Sequence, residues 1–543
     1  MRIFFIVIAT SLFMSCNHTT TADMIIYGAK IYTVDSSYSV AEAMAVKDGK
    51  ILETGSTDHI RETYTATDMI NAEGKIIYPG FIDGHAHFYS YALSLQKVNL
   101  TGTRSWEECI SRIQQFTTEK HIAKDEWITG YGWDQNDWDS KAFPSKTLLD
   151  QYFPGNPIFL SRIDGHAAIV NQAALDKAGI KAGDAIAGGI IETKAGRLTG
   201  ILVDNAMGRA GDIIPGPGNS TLRKLFDEAQ QKCFAVGLTS VTDCGLTKQE
   251  TDKLDSLQKE GLLKMKLTVL LADNAENYAW YLPKGIYKTD RMHIAGFKLF
   301  ADGALGSRGA CLLKPYRDKP GWNGFLLNDI DHYTTALSKI AGSPFQACAH
   351  AIGDSGNRVI LQQFAALLPP DNDRRWRIEH AQVVDPADIA LFGRFNIIPS
   401  VQPTHATSDM YWAEDRLGAD RIRTAYAYKD LLRQNGWMAL GTDFPVEDIS
   451  PFKTFYAAVV RKDAAGYPPG GFQIENALTR EEALRGMTIW TAKSSFEEAE
   501  KGSIEKGKNA DFIIADTDLM QCEPAAMLKA KVLATYVSGE KVY

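Results

Sequence analysis

Two histidines, His85 and His87, are the first residues whose spacing suggests chemistry. They close the segment PGFIDGHAH at 79–87 and are separated by one residue. Alternate side chains of a β-strand point to the same face, so both imidazoles would project to one side at the end of a strand. Two imidazoles held this close are a good beginning for a Zn²⁺ site. Alone, such a pair is a weak signal, because two histidines at this spacing are about as likely to lie on a surface or in a core without binding a metal.

Four further residues with ligand chemistry lie within or at the ends of other short apolar runs. They are, in chain order, Lys298 within the run 294–300, His350 at the end of 345–350, His380 at the end of 377–380 and Asp443 at the end of 438–443. For each histidine alone, a structural role in the core or on the surface is the simpler explanation. Imidazole, amine and carboxylate groups at five such strands together predict one active site.

A common scaffold must bring these residues together, and the apolar runs predict a (β/α)₈ barrel. Eight short strand-like runs recur, most of them followed by a helical pattern. They span residues 76–83, 238–243, 265–271, 294–300, 345–350, 377–380, 397–402 and 438–443. In a barrel of this type the strand ends meet at the C-terminal mouth, where the active sites of the fold form. The ligand-bearing runs are the first, fourth, fifth, sixth and eighth.

The chain leaves this repeat once and carries short strands at both ends. Residues 88–236 interrupt the repeat after the first strand, which predicts an insertion or cap subdomain within a barrel domain of 81–499. Short strands with tight turns fill 23–80, and similar ones recur in 500–543. A few strands from either end would be marginally stable alone, so we expect both ends to form one small β-sandwich domain.

The composition excludes several classes of protein. The 543 residues include 58 Lys and Arg against 66 Asp and Glu, for a net charge of −8, and no basic run argues for a nucleic-acid binder. With 45% hydrophobic and 23% charged residues, the chain is globular over most of its length. We expect a small-molecule substrate as its partner, and the sequence leaves a homo-oligomer open.

The N-terminal residues 1–16 predict an export signal. Arg2 is followed by an apolar stretch and then by Ser15 and Cys16. The stretch is too short for a stable membrane span, which needs roughly 20 residues. LFMSC at 12–16 is similar to a bacterial lipobox, with Phe13 where leucine is preferred. We therefore expect an exported lipoprotein, anchored through a lipid on Cys16 at the periplasmic or cell-surface side; a plain cleaved signal peptide is the alternative.

Several longer motifs resemble those of the metal-dependent amidohydrolase superfamily, in the branch with a large insertion after strand 1 that includes N-substituted formamide deformylase. The resemblance covers about 23–543 and rests on PGFIDGHAH at 79–87, KLFADGALGSR at 298–308, IEH at 378–380, GTDFP at 441–445 and GSIEKGKNADF at 502–512. It implies a barrel and a β-domain built from both termini. It also implies one or two divalent metal ions, for which zinc is expected.

The same resemblance assigns the ligands. His85, His87 and Asp443 would hold one metal. His350 and His380 would hold the other, and Lys298 would bridge the two as a carbamate. None of these ligand positions is missing from the sequence.

These implied roles agree with elementary chemistry. A water on the metal approaches a pKa of about 7 and becomes a nucleophile, while Asp443 takes its proton and passes it to the leaving amine. The second metal, or His350 and His380, would polarise the carbonyl group. The free amine of a buried lysine can react with CO₂, and the carbamate spans two metals. The alternative for Lys298 is an ion pair with Asp302 and a single-metal site.

Four residues are candidates for substrate binding. Ser307 and Arg308 follow the fourth strand, where the guanidinium would hold a carboxylate with two hydrogen bonds; a loop salt bridge is the alternative. His166 lies in a DGH motif at 164–166 that resembles one of the family and is expected to face the pocket. Trp133 is flanked by polar residues and is expected to be partly exposed against a bulky apolar substituent, the alternative being the insertion's own core.

One residue of the ligand motifs is expected to have a structural role only. Glu379 directly precedes His380, so strand alternation should point its side chain away from the barrel axis.

The ligand set and the resemblance together predict a hydrolase of C–N bonds in amides, formamides or cyclic amides. The fold does not exclude another metal-dependent reaction at the same site, such as hydrolysis of a lactone or phosphoester, or an isomerisation. A catalytically silent binding protein of the cell envelope is the third alternative, and the complete ligand set argues against it.

Overall fold

Eight parallel strands form a barrel in the computed structural model, which describes residues 20–543; Cys16 and the predicted export signal lie outside the described residues. In chain order, and named barrel strands 1 to 8 below, they are Phe81–Ala86, Leu238–Leu246, Lys266–Ala272, Met292–Phe300, Gln346–Ala351, Arg377–His380, Ile398–Val401 and Ala439–Leu440. Each pairs with the next in parallel. After strand 8, Asp443 N donates to His85 O (2.7 Å), so the sheet is nearly closed. The predicted barrel is confirmed.

Helices connect these strands and also occur in the flanking segments. Their bounds are Thr57–Thr63, Phe88–Ser94, Trp106–Lys120, Thr147–Tyr152, Gln172–Ala178, Asn205–Gly211, Asn219–Ala235, Lys248–Lys259, Ala275–Tyr281, Ile330–Ala341, Asp354–Leu367, Ala390–Arg394, Pro403–Asp409, Ala413–Leu417, Tyr428–Asn435, Pro451–Val460, Arg480–Gly486, Ile489–Ser494 and Pro524–Met527. With both faces of the sheet covered, every residue of barrel strands 1, 5 and 6 is buried. Within residues 20–543, no helix combines the length and apolar character needed to cross a bilayer.

The first predicted run, 76–83, is divided between two sheets. Ile76–Pro79 pairs antiparallel with Phe512–Ala515 outside the barrel, whereas Phe81–Ala86 is barrel strand 1. The chain changes sheets at Gly80, where a Cβ atom would lie 2.3 Å from the Thr239 hydroxyl oxygen. Only glycine fits this close approach, and the apolar character of both halves hides the division from sequence patterning.

Two further sheets lie outside the barrel at the ends of the chain. The first contains Thr20–Tyr27, Ala43–Lys47, Lys50–Gly55 and Tyr64–Asn71, and the second contains Lys30–Tyr32, Val40–Ala41, Ile76–Pro79, Phe512–Ala515, Val532–Val537 and Glu540–Lys541. One apolar cluster includes Met44 of the first sheet and Ile77 and Phe512 of the second. The buried Lys266–Asp511 ion pair (2.6 Å) joins barrel strand 3 to the second sheet.

Residues 88–236, the predicted insertion, contain a separate six-stranded sheet. Its strands are, in spatial order, Gly189–Lys194, Arg197–Asp204, Ala167–Val170, Ile158–Arg162, Ile128–Trp133 and Val98–Asn99. The insertion leaves the barrel directly after His87 through the helix Phe88–Ser94. The first residues of the insertion therefore lie at the barrel mouth.

Trp133 of the insertion is more buried than expected. Trp133 is fully buried and Trp138 is 3% exposed, whereas Trp127 is only half-buried. Trp133 Nε1 donates to Leu160 O (2.8 Å), and the ring packs at 6.1 Å from Trp138. The polar neighbours of Trp133 misled the prediction because Asp134 turns to the Arg162 guanidinium while the indole points into the core. Trp133 is a core residue and is not available to a substrate.

We expect Trp133→Ala to lower the free energy of unfolding by about 3–5 kcal/mol, because it leaves a large cavity and an unpaired Leu160 carbonyl. The midpoint of thermal unfolding measures this. Trp280→Ala is the control, since that ring is 44% exposed and should cost far less. Unchanged stability of Trp133→Ala, with weaker binding of aromatic substrates alone, would restore the substrate-contact role.

Candidate metal centre

The C-terminal mouth of the barrel brings the predicted ligand residues to one cavity of about 670 Å³. The lining includes His87, Lys298, His350, His380 and Asp443. His85 lies directly behind the lining and is fully buried. The side chains come from barrel strands 1, 4, 5 and 6 and from the turn after strand 8, as the spacing of the sequence predicted.

His85, His87 and Asp443 form one compact group. Asp443 Oδ1 lies 3.2 Å from His87 Nε2 and 3.5 Å from His85 Nε2. The other ring nitrogens are already engaged: His85 Nδ1 lies 2.7 Å from Glu379 Oε2, and His87 Nδ1 lies 3.0 Å from Cys244 O. An acceptor at Nδ1 holds the proton there and leaves the Nε2 lone pair free. Both lone pairs therefore point at the same carboxylate oxygen.

The Oδ1 atom of Asp443 is buried and has no hydrogen-bond partner among the described residues. A buried carboxylate oxygen without a donor is costly, and the two nearest groups present lone pairs instead of protons. A cation among these three ligand atoms would satisfy all of them. The donor set, two imidazoles and a carboxylate, is the chemistry that zinc favours. The residues therefore fit a divalent metal.

Glu379 does not point away from the site, as strand alternation had suggested. Its Oε2 atom meets His85 Nδ1, and its Oε1 atom accepts from Arg377 Nε (2.7 Å). Both Arg377 and Glu379 are fully buried. Alternation fails here because barrel strand 6 has only four residues and ends at His380, whose φ of 74° breaks the pleat. Glu379 is a positioning residue that fixes the ring of His85.

His380 belongs to a second group that includes a histidine absent from our sequence prediction. The ligand atoms of His380, His405 and Asp443 all lie within 4.8 Å of one another. His380 Nδ1 meets Gln402 Oε1 (2.7 Å), which leaves Nε2 for the centre. His405 lies in the helix Pro403–Asp409 after barrel strand 7, with Nε2 at 3.6 Å from Asp443 Oδ2. The segment QPTH at 402–405, directly after the seventh predicted run, is the signal that could have identified it.

His350 and Lys298 lie on the other side of the centre. His350 packs at 4.6 Å from His380, with Nε2 at 3.4 Å from Gly303 O, and Nδ1 is left for a ligand. Lys298 Nζ lies 3.3 Å from His85 Nε2 and makes no ion pair with the residues of 20–543. The alternative pair with Asp302 is not formed, since that carboxylate accepts backbone N–H groups at 2.8–3.0 Å.

Burial and neighbouring charges set the protonation states of the group. Burial, together with the Lys298 charge, lowers the pKa of His85 to about 4. Burial also lowers the pKa of His350 and of His380 well below the usual range. Burial would raise the pKa of Asp443, but the neighbouring imidazoles outweigh it and hold that pKa low. Neutral imidazoles and an ionised carboxylate are the forms that bind metal ions.

Of the four predicted substrate contacts, one lines the cavity. His166 lies 4.9 Å from the ring of His350, and its Nδ1 meets Asp204 Oδ1 at 2.6 Å. Arg308 instead pairs with Asp318 (2.8 Å) in the loop, and Ser307 is buried and donates to Ala304 O (3.3 Å). Neither residue lines the cavity, and the buried Trp133 does not either. The loop-salt-bridge alternative for Arg308 therefore describes the structure.

The insertion supplies much of the cavity wall, including a buried cation that the sequence analysis did not identify. Arg162 ends the strand Ile158–Arg162, lines the cavity and has a side chain 1% exposed. Its guanidinium is neutralised by Asp134 and Asp164, the latter at 2.6 Å. Tyr131 of the same sheet adds a further wall residue, as do Asp164 and His166 in the turn between two of its strands.

Comparison with known proteins agrees with this geometry. A model of the amidohydrolase family matches residues 68–543. A putative amidohydrolase, YtcJ, of Bacillus subtilis is 30% identical over 95% of this chain and 98% of its own, and the protein LONG AFTER FAR-RED 3 of Arabidopsis thaliana is 32% identical over 96% and 92%. N-substituted formamide deformylase of Arthrobacter pascens is 25% identical over 96% and 98%.

Solved structures resemble this chain as well. The crystal structure of an uncharacterized metal-dependent hydrolase from Pyrococcus horikoshii is 26% identical, with a TM-score of 0.75 over 92% of this chain and 99% of that one. A second such hydrolase, from Pyrococcus furiosus, is 27% identical with a TM-score of 0.72. The resemblance seen in the sequence motifs is thereby confirmed: this chain belongs to the amidohydrolase family.

Proposed function

We propose that this protein is a metal-dependent hydrolase that cleaves a C–N bond in an amide, a formamide or a cyclic amide. The observation that carries the proposal is the buried, unpaired Asp443 Oδ1 atom, which faces the Nε2 lone pairs of His85 and His87. The Pyrococcus relatives are described as metal-dependent hydrolases and the Arthrobacter relative as a formamide deformylase, which supports this reaction class.

The residues of the mouth would hold one or two divalent ions, with zinc as the expected metal. His85, His87 and Asp443 are the ligands of the first position, while His350, His380 and Lys298 border it. When bound, such an ion polarises a substrate carbonyl and lowers the pKa of a water molecule. Lys298 is buried without a carboxylate partner among residues 20–543, which favours its conversion to a carbamate.

Asp443 is the residue placed to move the proton. It is ionised, because the neighbouring imidazoles hold its pKa low, and it lines the cavity where a scissile bond would lie. Its carboxylate would accept the proton of the attacking water and donate it to the nitrogen of the leaving amine. Glu379 and Gln402 hold the rings of His85 and His380, so these groups need no reorganisation during the reaction.

His166 is the residue best placed to contact the substrate from the insertion. Asp204 holds its Nδ1 at 2.6 Å, which leaves Nε2 as the free ring nitrogen beside His350. Burial opposes protonation, but the hydrogen bond and charge of Asp204 outweigh it and raise the pKa of His166. The imidazole can therefore donate a hydrogen bond to a carbonyl oxygen held near His350.

The first prediction from this proposal tests the reaction itself. Elemental analysis of the purified protein should find one or two equivalents of divalent metal, and Asp443→Asn should lower kcat by about 10²–10⁴ with the fold retained. The activity measurement uses a panel of N-acyl amino acids, N-benzylformamide-like compounds, hydantoins, lactones and phosphotriesters. Cleavage of only the last two classes would favour another bond type.

Asp385→Asn is the matched control, because that carboxylate forms an ion pair with Arg358 at 3.3 Å and does not line the cavity. Wild-type protein that binds no metal, and hydrolyses nothing after addition of Zn²⁺, Mn²⁺ or Co²⁺, would leave only a catalytically silent binding protein.

The second prediction concerns Lys298. Lys298→Ala should lower both metal content and activity, and short carboxylic acids should restore part of each by occupying the space of the carbamate. Asp443→Asn serves as the control, since the acids should not restore its activity. A metal-loaded crystal structure with an unmodified amine at Lys298 would favour the single-metal alternative.

We also propose that the protein is exported and anchored to a membrane by a lipid on Cys16. Two or three acyl chains would give stable attachment where one would be marginal. After expression in a bacterial host, the mature chain should begin at Cys16, carry the acyl mass and fractionate with membranes, and Cys16→Ala should not. Cys522→Ala is the control. A soluble mature protein with a different N-terminus would contradict this proposal.

A further inference from the structure

Asp204 is the last residue of the insertion strand Arg197–Asp204 and directly precedes the helix Asn205–Gly211. An aspartate at this position ordinarily caps its helix, because its carboxylate accepts a hydrogen bond from a backbone N–H of the first turn. The side chain of Asp204 makes no such bond. It is fully buried, and its Oδ1 atom lies 2.6 Å from His166 Nδ1. The carboxylate therefore serves a histidine of the cavity wall instead of its own helix.

The backbone of Asp204 is held in an unfavourable conformation. Its φ of 50° and ψ of −124° lie in a region that favours glycine, because a Cβ atom crowds the backbone there. A residue other than glycine keeps such a conformation only where the surrounding structure holds it, and such residues concentrate at functional sites. Glycine would relieve this strain, and what it could not supply at position 204 is the carboxylate.

The contacts of the second carboxylate oxygen do not support a role in fastening the insertion to the barrel. Oδ2 of Asp204 meets the loop after barrel strand 4, where a Cβ atom on Gly303 or Gly309 would lie 2.5 Å from it. This oxygen is buried, yet it has no hydrogen-bond partner within residues 20–543. A buried acceptor without a donor costs free energy, so Oδ2 does not stabilise the packing of the insertion on this loop. Within the same residues, the carboxylate hydrogen-bonds to His166 alone.

Asp204 holds His166 at two points. Asp204 N donates to His166 O (3.0 Å), and the carboxylate meets Nδ1 of the ring. The ring lines the cavity, with its centre 4.9 Å from that of the His350 ring. Rotation about the last side-chain torsion of a histidine meets little resistance, so the ring could turn freely without its partner at Nδ1.

We propose that Asp204 is a positioning residue for the hydrolytic reaction, which fixes the His166 ring so that Nε2 is presented to the substrate carbonyl beside His350. The inference rests on the proposed function, in which His166 contacts the substrate. It makes the insertion a working part of the reaction as well as a wall of the cavity, because the ring and the residue that orients it both belong to 88–236.

The experiment is a double-mutant cycle, measured on the panel substrate that the wild-type enzyme cleaves fastest. His166→Ala should lower kcat by about 10²–10³, the usual effect of removing one hydrogen-bond donor to a developing oxyanion. Asp204→Gly should lower kcat by about 10–100-fold, with unchanged metal content. The double variant should be as active as His166→Ala alone, to within about twofold, because Asp204 acts only through that ring.

Thermal unfolding separates a positioning role from a structural one. Asp204→Gly should keep or raise the unfolding midpoint, because glycine accepts this backbone conformation and the unpaired buried Oδ2 atom is removed. Asp329→Gly is the matched control and should leave kcat unchanged. Asp329 also precedes a helix, Ile330–Ala341, but it caps that helix by accepting from His332 N (2.8 Å) and does not line the cavity.

A crystal structure of Asp204→Gly gives a readout that does not depend on catalysis, since the His166 ring should leave its place beside His350. Losses that add up in the double variant, a ring that keeps its place, or a lowered midpoint with unchanged kcat would each overturn the inference and leave the proposed function intact. If the wild-type enzyme cleaves no C–N bond of the panel, the proposed function fails, and the position of the ring in Asp204→Gly decides the inference by itself.

Discussion

The closure of the barrel between its first and last strands is the constraint on which the centre depends. The hydrogen bond from Asp443 N to His85 O, 2.7 Å long, places the shared carboxylate beside the H-x-H pair. Asp83 strengthens this contact between barrel strand 1 and the turn after strand 8. Its carboxylate accepts hydrogen bonds from Thr442 N (3.0 Å), Thr442 Oγ1 (2.7 Å) and His85 N (3.1 Å). Burial raises the pKa of Asp83 to about 7, which these hydrogen bonds partly oppose.

The close contact between barrel strand 1 and the turn after strand 8 also explains why glycine stands at position 441. A Cβ atom there would lie 2.5 Å from His85 N and 2.7 Å from Asp83 Oδ1. Any larger residue would force the two strands apart. The GTD segment that carries the proposed catalytic carboxylate is thus under the same steric constraint as the HAH segment that carries two candidate ligands.

Behind the ligands lies a buried network that fixes their orientation. The Arg377–Glu379 pair is fully buried, and such a pair is strongly destabilising to break on one side because the other charge is left uncompensated. Burial would raise the pKa of Glu379, but the charge of Arg377 and the hydrogen bond from His85 outweigh it and keep the carboxylate ionised. The network therefore holds the His85 ring rigidly, and its energetic cost is offset only when all its members are present.

The barrel and the insertion contribute different things to the cavity. Barrel strands and the segments that directly follow them carry every candidate metal ligand, whereas the insertion carries His166 and the Arg162 group. Ligands held on strands have little freedom, which suits a metal centre. The wall built by the insertion can vary without disturbing the centre, which is where substrate preference would be set.

The sequence by itself determined the barrel, its strand order and the candidate metal ligands other than His405. These followed from local patterns: short apolar runs predict strands, and strand ends of a barrel share one edge. The same patterns do not predict the orientation of a side chain at or beyond the end of a strand. Glu379 turned toward His85, Arg308 turned to Asp318 and Trp133 turned into a core, although their neighbours in sequence suggested otherwise.

Only the tertiary structure decided the distances between groups far apart in the chain. His405 became a candidate ligand because barrel strands 7 and 8 lie side by side and bring it to Asp443, 38 residues later in the sequence. Its own segment, a helix start after an apolar run, carries no periodicity that distinguishes a ligand from a buried imidazole. Local propensity is a property of neighbours along the chain, whereas a metal centre is a property of neighbours in space.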